Sequence, residues 1–164
     1  MHPRSRSPRV FLFRHGRVEP NGVDTLSLNG QQFRDALPGF FASLDVNLER
    51  AFFDASVNRC LSTLAGLECQ KTGYGVACEL RTLNAVLGSL TAGDHAICCR
   101  GDSIESGQLY HVLNFELHTP FEHGNHGAAA RRALAGSYHK VYWLELEQGR
   151  WQQRCARAVA VAPD

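Results

Sequence analysis

The feature that most constrains the fold is a short apolar run that ends in an Arg-His-Gly triplet. Val10–Phe13 are all apolar, and Arg14, His15 and Gly16 follow them directly. Such a run is typical of a buried β-strand, and open α/β sheets bind ligands beyond the carboxyl ends of their strands. The segment therefore predicts a strand that brings a cation, a nucleophile and a flexible turn to one point.

The rest of the chain alternates predicted strands and helices. Strands are expected at 10–13, 51–55, 76–80 and 95–99, and helices at 28–44, 58–72, 82–91 and 103–115. Pro38 should kink or split the first helix, and Gly73 should end the second. A loop follows at 116–136, and the runs 138–146 and 151–161 form a hairpin joined at 147–150. This order predicts a three-layer α/β/α single domain, whose mixed, mostly parallel sheet ends in a C-terminal β-hairpin.

Composition argues against a global attraction to polyanions. Seventeen Lys and Arg face sixteen Asp and Glu, which leaves a formal net charge of +1. We therefore expect no nucleic-acid or membrane partner, and any anion must bind at a local site. The six cysteines form no Cys-x-x-Cys pair, and the chain shows neither a signal peptide nor a long apolar run. A reduced, cytoplasmic protein is expected.

Two further motifs follow the triplet in order. Asn21 lies six residues after His15, and residues 26–32 read Leu-Ser-Leu-Asn-Gly-Gln-Gln. Residues 56–63 read Ser-Val-Asn-Arg-Cys-Leu-Ser-Thr. Together they resemble the histidine phosphatase superfamily, which includes the phosphoglycerate mutases. Gln32 stands one residue before the family's usual Gln, and Phe33 takes that place.

This resemblance implies a site for a phosphoryl group. His15 would be the nucleophile that forms a phosphohistidine, with Arg14 and Arg59 as catalytic partners and Gly16 and Asn21 lining the substrate site. Two guanidinium groups suit a phosphate dianion because they bind it in a bidentate manner and keep their charge. The expected substrate is a phosphomonoester or phosphoramidate, carried by a small molecule or a phosphoprotein. The resemblance also assigns residues 10–164 to one phosphoglycerate mutase-like domain, after a flexible basic arm at residues 1–9.

One departure from the family concerns its second histidine. The family carries that residue after the fourth strand, where this chain has Arg100. His95 is a poor substitute, because it begins the strand and so lies at the opposite end of the sheet. Arg100 can donate hydrogen bonds and charge to phosphoryl oxygens, but it cannot exchange a proton near neutral pH. We expect it to bind substrate.

A second departure concerns the acid that protonates the leaving group. Thr82 falls near the position where the family often has a glutamate. Glu79, Asp102 and Glu105 are the alternative acids. Asp102 and Glu105 also have the spacing of a capping box, which would commit them to starting a helix.

Two functions therefore remain open from the residues. The first is a histidine-type phosphatase, and the second is a degenerate, non-catalytic family member that binds phosphate or a phosphorylated partner. Neither calls for a cofactor or a metal. His118, His123 and His126 share a loop, but no strand or helix fixes their geometry and no cysteine is spaced with them, so they do not predict a zinc site.

Overall fold

The sheet and its helices are described by a computed structural model for residues 7–21, 23–100 and 138–161. Within these residues the strands are β1 (Arg9–Arg14), β2 (Arg50–Asp54), β3 (Gln70–Tyr74), β4 (Asp94–Cys99), β5 (Lys140–Glu147) and β6 (Arg150–Ala158). The helices are α1 (Leu28–Ser43), α2 (Asn58–Thr63) and α3 (Leu83–Ser89).

The six strands form one mixed sheet in the order β3-β2-β4-β1-β5-β6. The first four of these run parallel, whereas β5 pairs antiparallel with both β1 and β6. The structure therefore confirms the predicted α/β single domain, with its mixed, mostly parallel sheet and C-terminal hairpin.

β1 shows why helices cover both faces of the sheet. Its four apolar residues are fully buried and alternate between the faces, as side chains on a strand must. Val10 and Leu12 pack in the cluster that contains α3, whereas Phe11 and Phe13 pack in the cluster that contains α1 and α2. Each such side chain contributes about 1.5–3 kcal/mol on burial. Both core clusters thereby hold β1 in place, and with it the Arg-His-Gly segment at its end.

The antiparallel direction of β5 determines what meets the end of β1. β1 to β4 all end at one side of the sheet, which we call the carboxyl end. Leu12 pairs with Tyr142 and Arg9 with Glu145, so β5 begins where β1 finishes. Tyr138 and His139, just before β5, therefore lie at the carboxyl end as well.

Helix α1 is continuous through Pro38, so the predicted split was wrong. The helix begins at Ser27, whose hydroxyl accepts a hydrogen bond from the backbone N–H of Gly30 at 3.1 Å. Pro38 cannot donate to the carbonyl of Arg34. Because Pro38 is exposed, water can satisfy that carbonyl, and the buried side chains on the opposite face hold the helix together.

The region after β2 differs most from the prediction. The helix expected over 58–72 ends at Thr63, and the strand expected at 76–80 is β3, at Gln70–Tyr74. Gly73 lies inside that strand and ends no helix. Among the described strands β3 pairs only with β2 and lies at the margin of their sheet. A strand in that position needs no apolar run, so the sequence pattern does not signal it.

Some predictions fall outside the described residues: the helix at 103–115, the loop at 116–136, Asp102, Glu105 and residues 1–6 of the arm. β1 begins at Arg9, one residue earlier than predicted.

Candidate active site

His15 lies directly after β1 and is only 3 % exposed. Its backbone N–H donates to the carbonyl of Cys99 at 3.1 Å, which continues the pairing of β1 with β4. Its ring Nδ1 is 2.7 Å from the carbonyl oxygen of Gly16. A carbonyl only accepts, so Nδ1 carries the hydrogen and the lone pair of the neutral ring is on Nε2. The fold thus selects the tautomer that a nucleophilic histidine needs.

The surroundings of His15 also keep its ring neutral. Burial is the largest influence, and the positive charges of Arg14 and Arg59 act in the same direction. Together they lower the pKa of His15 to about 4, against the opposing effects of the Gly16 carbonyl and Asp24. At neutral pH the imidazole is therefore unprotonated and available as a base or nucleophile.

Gly16 links the loop after β1 to two helices. Its backbone N–H donates to the Thr63 hydroxyl at 2.9 Å, and that hydroxyl donates to the carbonyl of Arg59 at 2.8 Å. A Cβ atom at Gly16 would lie 2.8 Å from the carbonyl oxygen of Gly30, at the start of α1. Only glycine fits this contact, so the residue positions His15 against α1 and α2.

Arg59, the second residue of α2, contributes a guanidinium close enough to affect the His15 pKa. Its Nε is buried and has no hydrogen-bond partner in the part of the chain that the structure describes. Its Nη1 lies 3.9 Å from a carboxylate oxygen of Asp24. That carboxylate also accepts from the backbone N–H groups of Asn58 and Arg59, at 2.6 and 2.9 Å. Asp24 thus holds the start of α2, a role that its sequence context does not indicate.

Arg100 follows β4, which lies between β1 and β2 at the centre of the carboxyl end. Its Nη1 donates to the Ser56 hydroxyl at 3.4 Å. Ser56 in turn donates to the buried Asp54 carboxylate, through its hydroxyl at 2.6 Å and its backbone N–H at 2.9 Å. Hydrogen bonds thus link Arg100 through Ser56 to Asp54, beside the turn between β2 and α2.

Tyr138 also belongs to this site. The guanidinium carbon of Arg14 lies 3.7 Å from the centre of its ring, and that of Arg17 lies 4.7 Å away. The ring of His15 meets it in an edge contact at 5.8 Å. No sequence motif predicts Tyr138, although one signal is present. An antiparallel hairpin strand begins at the end of the sheet where a parallel neighbour finishes, so the residues just before it lie at that end.

Asn21 and Thr82 make local hydrogen bonds in the structure. Asn21 is exposed, and its side-chain oxygen accepts from the backbone N–H of Val23 at 3.1 Å, which is a turn-forming contact. Thr82 begins α3, where its hydroxyl accepts from the N–H of Ala85.

Glu79 is not brought to His15. The chain turns back after β3 through left-handed conformations at Gly75 and Ala77. Glu79 then lines a cavity of about 420 Å³ together with Arg50 and His95, which lie at the amino ends of β2 and β4. Of the three alternative acids, Asp102 and Glu105 lie outside the described residues.

Solved structures with the same fold are known. The chain is similar to a protein from Agrobacterium tumefaciens whose name assigns it provisionally as the phosphohistidine phosphatase SixA. The TM-score is 0.62 at 13 % identity, over 92 % of this chain and 96 % of that one. A protein of the same provisional name from Nakamurella multipartitia gives 0.60 at 15 %, over 93 % and 96 %. No protein-family model and no curated protein matches the sequence. At these identities the two structures show a shared fold over most of the chain, which is the fold that the sequence resemblance implies.

The described residues contain no group of three or more His, Cys, Asp or Glu side chains arranged to hold a metal ion. No helix in the same ranges is long and apolar enough to cross a membrane.

Proposed function

We propose that this protein is a histidine-type phosphatase, which hydrolyses a phosphomonoester or phosphoramidate through a phosphohistidine at His15. The observation that carries the proposal is the state of the His15 ring. A buried imidazole donates from Nδ1 to the Gly16 carbonyl and has a pKa lowered to about 4, which leaves the Nε2 lone pair available at neutral pH. A histidine that served only to fill the core would not need two arginine charges beside it.

The reaction proceeds in two displacements at phosphorus. The Nε2 lone pair forms an N–P bond while the bond from phosphorus to the leaving group breaks, and the leaving group departs with the electron pair. Water then attacks phosphorus, the N–P bond breaks, and phosphate is released with Nε2 restored. One difficult displacement thus becomes two easier ones.

The arginines hold the phosphoryl group in both steps. The buried, unpartnered Nε of Arg59 is a donor that an anion would satisfy, and leaving it unsatisfied costs about 1–3 kcal/mol. Arg14 is the last residue of β1, directly before His15, and Arg100 reaches the same end of the sheet from β4. The resemblance assigns Gly16 and Asn21 to the same substrate site; Gly16 lies beside His15, whereas the side-chain oxygen of Asn21 accepts from the backbone N–H of Val23. The substrate is a phosphorylated small molecule or a phosphoprotein, and the names of the two similar structures favour phosphohistidine among these.

The second candidate function is phosphate binding without turnover. Arg100 favours it, because by the sequence resemblance a permanently charged side chain replaces the superfamily's second histidine, and its guanidinium is hydrogen-bonded to Ser56, which is bonded to Asp54. In either case we propose a cytoplasmic protein without a nucleic-acid or membrane partner, in keeping with the net charge of +1.

Phosphodonor labelling tests the proposal. The wild-type protein should acquire acid-labile, base-stable phosphate, His15→Ala should not, and the label should leave in a chase without donor. His95→Gln is the matched control, because His95 is also buried but lies at the amino end of β4. Its labelling should equal that of the wild type. If the protein binds phosphate but is not labelled, the binding function replaces the phosphatase. If it is neither labelled nor binds phosphate, both functions are rejected.

A further inference from the structure

Tyr138 makes an unusual set of contacts for a tyrosine beside a sheet. Its ring meets two guanidinium groups and an imidazole, those of Arg14, Arg17 and His15. The Arg14 contact, at 3.7 Å from carbon to ring centre, is at van der Waals distance and far inside the ~6 Å limit for a cation–π interaction. The ring is thus in direct contact with the proposed phosphoryl site.

The residue after Tyr138 fixes its place. His139 is buried, its ring stacks on Phe33 at 4.8 Å, and its Nε2 accepts from the backbone N–H of Arg17 at 3.3 Å. Its carbonyl accepts from the N–H of Val159 at 2.8 Å. The backbone at His139 is left-handed, with φ of 58°. These contacts tie the start of β5 to α1, to the loop after β1 and to the end of β6, so Tyr138 is held on a rigid support.

The geometry of stacking explains what the contact does for Arg14. A cation–π contact engages the face of the planar guanidinium, whereas its N–H donors point outward in the plane. Stacking therefore restricts the side chain without using the donors that an anion would need. Because a flexible arginine loses rotamer freedom when it binds an anion, prior restriction strengthens that binding.

We infer that Tyr138 is a positioning residue that orients the Arg14 guanidinium for the phosphoryl group. The inference rests on the proposed function of the site. It assigns the role to the aromatic ring, so phenylalanine should replace tyrosine here and an aliphatic side chain should not.

The test is the affinity for inorganic phosphate, measured by calorimetry, together with KM and kcat for an aryl phosphate. Tyr138→Leu should raise the dissociation constant and KM by about 3- to 12-fold, because the Arg14 side chain must then lose its rotamer freedom on binding, and change kcat less. Tyr138→Phe should stay within about twofold of the wild type, because the ring and its face remain.

Arg14→Gln provides the reference for loss of the guanidinium. In the Arg14→Gln background, Tyr138→Leu should have no further effect on phosphate affinity, since the two residues act as one unit. Trp143→Leu is the matched control, because it removes an arginine–aromatic contact at the amino end of β1, that of Arg9 at 5.2 Å. It should alter stability without changing phosphate affinity. Tyr138→Met, which keeps most of the volume, replaces Tyr138→Leu if that variant fails to fold.

The possible outcomes distinguish failure of this inference from failure of the proposed function. Wild-type affinity in folded Tyr138→Leu or Tyr138→Met, alongside loss of binding in Arg14→Gln, would overturn the inference and leave the function standing. Weak binding in Tyr138→Phe as well would assign the effect to the hydroxyl, which also overturns it. A wild-type protein that binds no phosphate would overturn the proposed function and this inference together.

Discussion

At the scale of single residues, His15 is defined by its neighbours as much as by its own chemistry. One hydrogen bond to Gly16 selects its tautomer, and burial beside Arg14 and Arg59 suppresses its protonation. A ring held neutral in the folded protein but free to protonate when unfolded makes stability depend on pH.

We therefore predict an acid-sensitive contribution from His15. The folded-state pKa of about 4 lies below the ordinary histidine value of 6.5, so the unfolded state binds more protons between these values. The destabilisation is negligible above about pH 7, and the free energy of unfolding should fall by about 3 kcal/mol as the pH drops from 7 to 4. Urea denaturation at several pH values, compared between wild type and His15→Gln, measures the difference. Parallel pH profiles for the two proteins would contradict it.

At the scale of elements, the site depends on the close approach of α1 to the loop after β1. Gly30 at the start of α1 faces the backbone of Arg17, and Gly16 faces the backbone of Gly30. A Cβ atom at Gly30 would lie 2.9 Å from the Arg17 nitrogen and would overlap the Arg17 carbonyl oxygen. These contacts join two backbones, so neither side can yield by rotating a side chain.

Alanine substitutions at two glycines of α1 should therefore have opposite effects. Gly30→Ala should lower the free energy of unfolding by about 2 kcal/mol or more and reduce labelling at His15, because α1 must move away from the loop. Gly39→Ala should raise stability by about 0.5–1 kcal/mol with labelling unchanged, since Gly39 is exposed and a Cβ there would meet nothing within 4 Å. Thermal and urea denaturation measure both. Equal effects at the two positions would show that the backbone contact is unimportant.

At the scale of the whole molecule, one end of β1 carries an ion pair and the other carries the proposed phosphoryl site. At the amino end, Arg9 and Asp94 form a two-point ion pair across β1 and β4, with both N–O distances at 2.7 Å. At the carboxyl end, the same two strands deliver Arg14, His15 and Arg100. About 17 Å of strand separates the ends.

Stability and phosphate binding should therefore respond to different mutations. Asp94→Asn should cost about 1–3 kcal/mol of unfolding free energy, because it weakens a pair whose side chains are both only 15 % exposed. Its phosphate affinity should equal that of the wild type. Arg59→Gln should show the reverse, with weak phosphate binding and a smaller change in stability. Calorimetry and urea denaturation on both variants test the separation, and a shared loss of both properties in each variant would refute it.

Several features followed from the sequence because they depend on local pattern. The buried run at residues 10–13 predicts a strand whatever its neighbours, and the Arg-His-Gly triplet must then lie at its carboxyl end. The helical spacing of Phe33, Leu37, Phe40 and Leu44 predicts α1, and the two alternating runs near the C-terminus predict the hairpin. β1 starts at Arg9, one residue before the apolar run, where Arg9 pairs with Asp94. The apolar run does not predict that extra residue.

Other features depended on contacts between distant segments, and only the tertiary structure decided them. β3 is a strand because β2 offers it a partner, although Gln70–Tyr74 has no apolar pattern of its own. Glu79 lies away from His15 because the chain reverses after β3, whereas Asp24 and Tyr138 reach the site from loops far apart in sequence. Apolar periodicity reports which face of an element is buried. It does not report which polar side chains two separate loops bring together, because that depends on the relative placement of the elements.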